Sequence, residues 1–165
     1  MTKARKRPAR LRKTRPAARK RLADRLWRAF AAYVKRRDGP TCISCKKGGL
    51  SGQNWHAGHL FSSNRSPAVR YDPKNVHSQC AYCNAFLRGN AAAYAEAVIS
   101  AYGLAEFQRL AGQSRVLKQW REPELGALLD ALKRGDAEFE MYYAETYVTR
   151  PDVEAAIAAL EAERA

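Results

Sequence analysis

The sequence predicts an α+β protein, mostly helical, with helices on both sides of a small cysteine-clamped centre. Three observations predict it. All four cysteines fall in two Cys-x-x-Cys pairs, Cys42/Cys45 and Cys80/Cys83. The chain between the pairs is rich in turn residues and leaves room only for short strands. Outside them, apolar residues recur at three- and four-residue spacing, the period of a helix lying on a core. At 165 residues and 46% hydrophobic, the chain suffices for one compact domain with additions, or two very small ones.

The elements follow in order. Residues 1–21 carry eleven of the thirty Lys and Arg and no Asp or Glu, leaving nineteen basic against sixteen acidic residues, or +3 of the total +14, for the rest. With Pro8, Pro16 and few large apolar side chains, this tail cannot bury enough surface to offset its ordering entropy, so it is expected to be disordered when free. Leu22 to Arg37 reads as a helix, with Leu22, Leu26, Phe30, Tyr33 and Val34 on one face, and Asp38-Gly39-Pro40 stops it. Residues 41–53 read as a loop or knuckle. Trp55 to Phe61 and Asn75 to Gln79 read as short strands around a loop over residues 62–74. From Cys80 about two helical turns are expected, ending near Gly89. Asn90 is then placed to cap a helix over Ala91 to Tyr102 that stops at Gly103. Helical stretches are expected over Leu104–Ala111, Glu124–Arg134, Ala137–Val148 and Asp152–Arg164. No internal repeat is present.

Charge and composition narrow the function. A polybasic arm (Lys3, Arg5, Lys6, Arg7, Arg10, Arg12, Lys13, Arg15) gains affinity for nucleic acid by releasing counterions, with little sequence preference. A membrane-surface role needs bulky apolar residues beside the charge, and they are missing. No apolar run approaches the roughly 18 residues of a membrane span, and no apolar stretch follows the basic N-terminus as in a secretory signal. A cytoplasmic protein is expected.

Two residues between thiols let both sulfurs reach one ion from a tight turn, and two such knuckles complete the tetrahedral four-sulfur shell that zinc prefers. Disulfides would need an oxidising compartment, and a thioredoxin-like redox pair would need a strand–helix context that is absent. A closed four-cysteine site has no open position, so this zinc is expected to be structural. Clamping the knuckles closes Lys46 to Gln79 into one loop bearing His56, His59, Arg70, Asn75 and His77, with Asn84 just after the last cysteine.

These residues carry a resemblance. "AGHLFSSNRSP", "VRYDPKNVHSQCAYCN" and "LRGN" resemble the zinc-bearing HNH, or ββα-metal, nucleases. Within them they resemble most the lambdoid phage NinG (Rap) family of recombination endonucleases. The likeness covers about residues 22–112 and weakens beyond them. It implies a small zinc-stabilised ββα-metal (HNH-like) core over residues 22–112, flanked by the tail of residues 1–21 and a helical region over residues 113–165. It further implies a metal-dependent DNA endonuclease acting in the host cytoplasm on branched DNA such as Holliday junctions or D-loops. His59 would be the general base, Asn84 the ligand of one Mg²⁺ or Mn²⁺, and Asn75 the clamp of the loop between the strands.

The residue types suit that chemistry. A histidine titrates near neutrality and can take a water's proton. A neutral Asn leaves an ion's double charge for the substrate, and Arg70 is the candidate to clamp a phosphate oxygen. His77, sharing a strand face with Asn75, could contact phosphate or orient a neighbour. Each has a plainer alternative: a backbone-bonded His59, a helix-capping Asn84, a turn-forming Asn75, a surface Arg70, a structural His77. Trp55 and Tyr82 read as packing around the core or the zinc. His56 is the departure: the family pattern has Asp there, and an imidazole could bond the backbone or reach the ion through nitrogen. A non-catalytic zinc module binding nucleic acid is the competing function. Branched-DNA enzymes pair two active sites, but no heptad seam is present, which leaves a homodimer open.

Overall fold

The computed structural model describes residues 15–148. Helix α1 (Arg15–Asp38) buries Leu26, Phe30, Tyr33 and Val34 completely. It starts at Arg15 and not at Leu22, so the last residues assigned to the tail are helical. Ala17, Ala18 and the basic residues after them are strong helix formers, and Pro16 falls in the first turn, where its missing N–H costs nothing. The predicted stop holds: Gly39, at φ +67°, donates its N–H to Lys35 O at 3.0 Å. The last turn then grips the sheet. Arg37 donates to Pro73 O and Val76 O at 2.7 and 2.8 Å, and the Asp38 carboxylate accepts the Ser78 N–H at 2.8 Å.

Strands β1 (Trp55–His59) and β2 (Val76–Cys80) pair antiparallel from Trp55 opposite Cys80 to His59 opposite Val76. Both differ by a residue or two from the sequence expectation, for one reason. Asn75 spends its side chain on Phe61, which ends the ladder, while Cys80 stays in register with Trp55 and so belongs to the strand, not the helix. Ala57 and Val76 join the helical core, whereas His56, Gly58, His77 and Gln79 share the other face.

After Cys80 the chain makes a single wide π-turn, Tyr82–Phe86, in place of two α-turns. Arg88, Gly89 and Asn90 then all take positive φ. Asn90 does not cap with its side chain. Its amide donates to Cys83 Sγ at 3.5 Å, because a sulfur nearby competes with the helix N-terminus for that donor. Helices α2 (Ala91–Tyr102) and α3 (Leu104–Gln113) follow, broken at Gly103. Then come α4 (Glu122–Arg134) and α5 (Asp136–Tyr143), which runs into a π-turn over Ala144–Val148. Helix α4 begins before the predicted Glu124, whose carboxylate accepts the Arg121 N–H at 2.8 Å. The predicted helix over Asp152–Arg164 lies outside the described residues.

Phe30, Tyr33, Tyr71, Leu125, Leu128 and Phe139 form the centre of the main core. It therefore joins α1 to α4 and α5, and the packing does not divide at residue 112. A second cluster, Val69, Tyr94, Val98 and Leu110, fixes the inter-strand loop against α2 and α3. Beside it Arg109 pairs with the fully buried Asp72 at 2.9 Å, and burial raises the Asp72 pKa. Among the described residues no helix is long and apolar enough to cross a membrane.

Candidate metal centre and the cleft beside it

The first knuckle closes through Lys46 N–H to Cys42 O and Cys42 N–H to Lys47 O, both 2.9 Å, with Lys46 at φ +60°. It docks on β2 through Ile43 N–H to Ser78 O at 2.9 Å. That puts Cys42 and Cys45 against Cys80 and Cys83, with all four sulfurs within 4.8 Å of one another and no disulfide among them. Cys45 and Cys80 sulfurs are 3.8 Å apart. That matches the edge of a sulfur tetrahedron about 2.3 Å from its ion. Amide hydrogens from Cys83 and Asn90 point at Cys80 Sγ and Cys83 Sγ, as suits thiolate ligands. The four cysteines can therefore hold a metal such as zinc. Leu50 and Trp55 pack against them, and the Trp55 indole donates to Ser78 Oγ at 2.9 Å. Tyr82, expected to pack here, is instead 61% exposed beside the still more exposed Phe86. A π-turn turns both rings outward.

The two histidines of β1 have different surroundings. His56 donates Nε2–H to Gln53 O at 2.9 Å and accepts the Asn84 amide on Nδ1 at 2.8 Å. Both ring nitrogens are thus occupied. Of the two roles weighed for His56, it takes the backbone bond, and its other nitrogen holds the Asn84 amide. Because Asn84 gives its NH₂ to His56, its Oδ1 is left free, close to Gly58 Cα. Gln79 reaches the same spot from β2. Its NH₂ donates to Ser44 Oγ and Gly89 O, both 2.8 Å, which leaves Oε1 buried with no partner. A Cβ on Gly58 would sit 2.0 Å from Gln79 Oε1 and 2.9 Å from Asn84 Oδ1. Two neutral amide oxygens, each fixed by its own NH₂, so pack against Gly58 in the space a side chain there would need, and Asn84 also lines the cleft of His59. Hard oxygen donors of this kind fit Mg²⁺ or Mn²⁺.

His59 ends the strand with its ring stacked on Trp27 of α1, centroids 5.0 Å apart and planes 15° apart. Its Nε2 lies 3.0 Å from Arg70 O. A carbonyl only accepts, so Nε2 carries the proton and Nδ1 holds the free lone pair. Burial, with the Arg70 charge nearby, outweighs that hydrogen bond and lowers the His59 pKa to about 4. The ring is therefore neutral at pH 7. His59 and Asn84 line one cleft of about 190 Å³ with Ser62, Ser63, Arg88 and Gly89.

The remaining predicted residues divide. Asn75 accepts the Phe61 N–H and donates to Phe61 O and Val69 O, at 2.8, 3.1 and 2.9 Å, so it ties both ends of the loop. Arg70 is not in the Asn84 cleft. Its guanidinium lies over the Trp27 and Tyr71 rings, 5.9 and 5.6 Å from their centroids, in a separate cleft. His77, named as a phosphate contact, is buried and bonded to Tyr94 OH and Tyr102 OH at 3.1 and 3.0 Å. Its pKa also falls to about 4, mainly through burial. It is structural: Tyr94 passes its own hydroxyl hydrogen on to Gly58 O at 2.9 Å. Of the tail, Lys3 to Lys13 lie outside the described residues, and Arg15 opens α1. Sequence reasoning missed Gln79 and Trp27. The period-two alternation on β2 places Gln79 on the face of His77, which was the available signal for it. Nothing local marks Trp27 as the partner of His59.

These features define a class first: a mostly helical α+β protein with a small two-stranded sheet beside four clustered cysteines that could hold a metal. The chain belongs to the NinG family, since the family model described as Bacteriophage Lambda NinG protein matches residues 1–138. "Protein ninG" of Salmonella phage P22 is 32% identical over 101 residues, 61% of this chain and 48% of that protein. Those of Escherichia phage 933W and Escherichia phage lambda are each 37% identical over 76 residues, 46% of this chain and 37% and 36% of theirs. The chain thus spans about half, or less, of the curated relatives it matches. No solved structure matches it.

Proposed function

We propose that this NinG-family chain is a metal-dependent DNA endonuclease of the HNH type, acting in phage recombination on branched DNA. The observation that supports it best is the pairing of His59 and Asn84 on one cleft, each with its hydrogen bonding already committed so that one atom stays free. In this reading the four cysteines would hold zinc, and Asn84 would hold Mg²⁺ or Mn²⁺, which when bound would neutralise charge on the phosphate and leaving oxygen. His59 Nδ1 accepts the proton of the attacking water as the water's oxygen bonds phosphorus and the phosphodiester P–O bond breaks. Arg70 O holds the ring in that tautomer, Trp27 backs it, and Asn75 keeps the loop carrying Arg70 in place. His56 holds the Asn84 amide, so this chain positions by hydrogen bond what the family's acidic residue would influence by charge.

The test is cleavage of labelled duplex, single-stranded, flap and four-way-junction DNA, with and without Mg²⁺ or Mn²⁺, beside His59→Ala and Asn84→Ala. Losing general-base help should lower His59→Ala cleavage by about 10²- to 10⁴-fold with zinc content and melting unchanged. Asn84→Ala should raise the metal requirement. Full activity in His59→Ala removes its assignment. Salt-sensitive DNA binding without cleavage under any divalent ion makes the chain a non-catalytic binding module.

A further inference from the structure

We infer that the cleft between the first half of α1 and residues 118–120 is a binding site for the phosphate backbone of a nucleic acid, distinct from the Asn84 cleft. It measures about 550 Å³ and is lined by Arg19, Lys20, Arg70 and Lys118 against a single acid, Asp24. Lys20 pairs with Asp24 at 3.1 Å, and Lys118 with Glu124 at 2.5 Å. Arg19 and Arg70 pair with no carboxylate among the described residues. Arg19 has one long bond, to Trp120 O at 3.4 Å. Arg70 Nε is buried with no partner, a donor that costs stability unless something accepts from it.

The guanidinium is also preorganised. It is held over two rings, and the neighbouring wall is fixed by the Trp120 indole donating to Pro67 O at 2.8 Å. A rigid planar fork without a carboxylate suits a phosphate oxygen pair. The other large cleft shows the contrast. There Arg37, Lys74 and Arg109 face Asp72, Glu106 and Glu140, so its charges already balance. The excess lies on the first turns of α1, where Arg19 and Lys20 of the cleft belong to the eleven-cation segment of residues 1–21. A polyanion lying along these cations releases counterions at each contact, which a single small anion cannot do. Arg70 links this cleft to the proposed base: its side chain lines the cleft, and its carbonyl holds His59. A strand lying in the cleft would pass beside that base.

The inference rests on the nucleic-acid reading but not on catalysis, so the experiment leaves cleavage out. The zinc-loaded full chain is titrated into labelled duplex and four-way-junction oligonucleotides, without Mg²⁺ or Mn²⁺, over a series of salt concentrations. Arg19→Gln/Arg70→Gln/Lys118→Gln should lose about 0.9 in the slope of log K against log salt for each phosphate contact removed. Asp24→Asn, which takes away the one lining acid, should bind more tightly, and it keeps the question answerable if the triple variant folds poorly. Lys133→Gln, at a lysine paired with Asp130 outside the cleft, should keep the parental slope. Unchanged binding in Asp24→Asn, with an unchanged slope in a folded triple variant, overturns the site. Displacement of the oligonucleotide by millimolar inorganic phosphate alone assigns the cleft to a small anion and overturns the nucleic-acid occupant. A loss of slope in the triple variant keeps the site even where the separate cleavage assay with Mg²⁺ or Mn²⁺ removes the nuclease reading.

Discussion

The helical body and the cysteine centre of this chain bury very different material. Around α1, α4 and α5 the core holds Phe30, Tyr33, Tyr71, Trp120 and Phe139 with five buried leucines of α1 and α4. Aromatic pairs such as Phe30–Phe139 and Tyr71–Trp120 lie 5.5 and 5.3 Å apart. Around the cysteines only Leu50 is buried beside the four-sulfur cluster, with Trp55 partly so. The first region is held by removing apolar surface from water. The second has too little apolar surface for that, and a metal held by its four cysteines would supply the missing stability. Yet the proposed active-site groups sit on the second region and lean on the first. Asn84, His56 and Gln79 flank the cysteines, while His59 stacks on Trp27 of α1.

Removing the metal should separate the two most sharply. Structural zinc sites contribute on the order of 10 kcal/mol to folding. Chelation is expected to free the β1 and β2 amides for hydrogen exchange while those of α4 and α5 stay protected; equal protection in both states would show that the centre does not need its ion. Phe30→Ala is the converse. It should cost about 3–5 kcal/mol of global stability and leave metal stoichiometry intact, read by melting and metal analysis. Gly58→Ala attacks the seam. Its methyl would meet Gln79 Oε1 and Asn84 Oδ1, whose amides are tied down by His56, Ser44 and Gly89. About 1–3 kcal/mol should be lost, with the metal requirement raised; a neutral substitution would mean the amides move freely.

The mildest lever is pH. His59 and His77 both have folded pKa values of about 4, below the ordinary histidine value, so the unfolded chain takes up protons first as the pH falls. Stability from keeping the rings neutral is complete above about pH 6.5 and falls away from there to about pH 4, with a slope of up to about 2.7 kcal/mol per pH unit for two protons. Asp72, whose pKa burial raises, opposes this. Denaturant midpoints measured across that window for the parent and His59→Asn should diverge, with the variant the flatter of the two.

How much of this was legible in the sequence depended on what set each feature. The cysteine cluster was, because spacing within each knuckle dictates its geometry and only the pairing of knuckles is long-range. The loop clamp at Asn75 came from the resemblance, and its bonds to Phe61 and Val69 fit it. The helix start was not: the charge of Arg15 to Arg21 signalled disorder, while their helix propensity, continued into a buried face at Leu26 and Phe30, won. For His77 a period-two reading tells which face a residue takes and not what covers that face, so the choice between phosphate contact and structural role stayed open until Tyr94 and Tyr102 of α2 were seen to cover it. The same alternation puts Gln79 on that face, but not that its oxygen lacks a partner.

The stack of His59 on Trp27 has a consequence of another kind. A protonated imidazole quenches a neighbouring indole far more than a neutral one does, and this chain has only two other tryptophans, Trp55 and Trp120. The emission of Trp27 therefore reports the charge on the proposed base. The protein carries its own optical indicator at the point where its chemistry would begin.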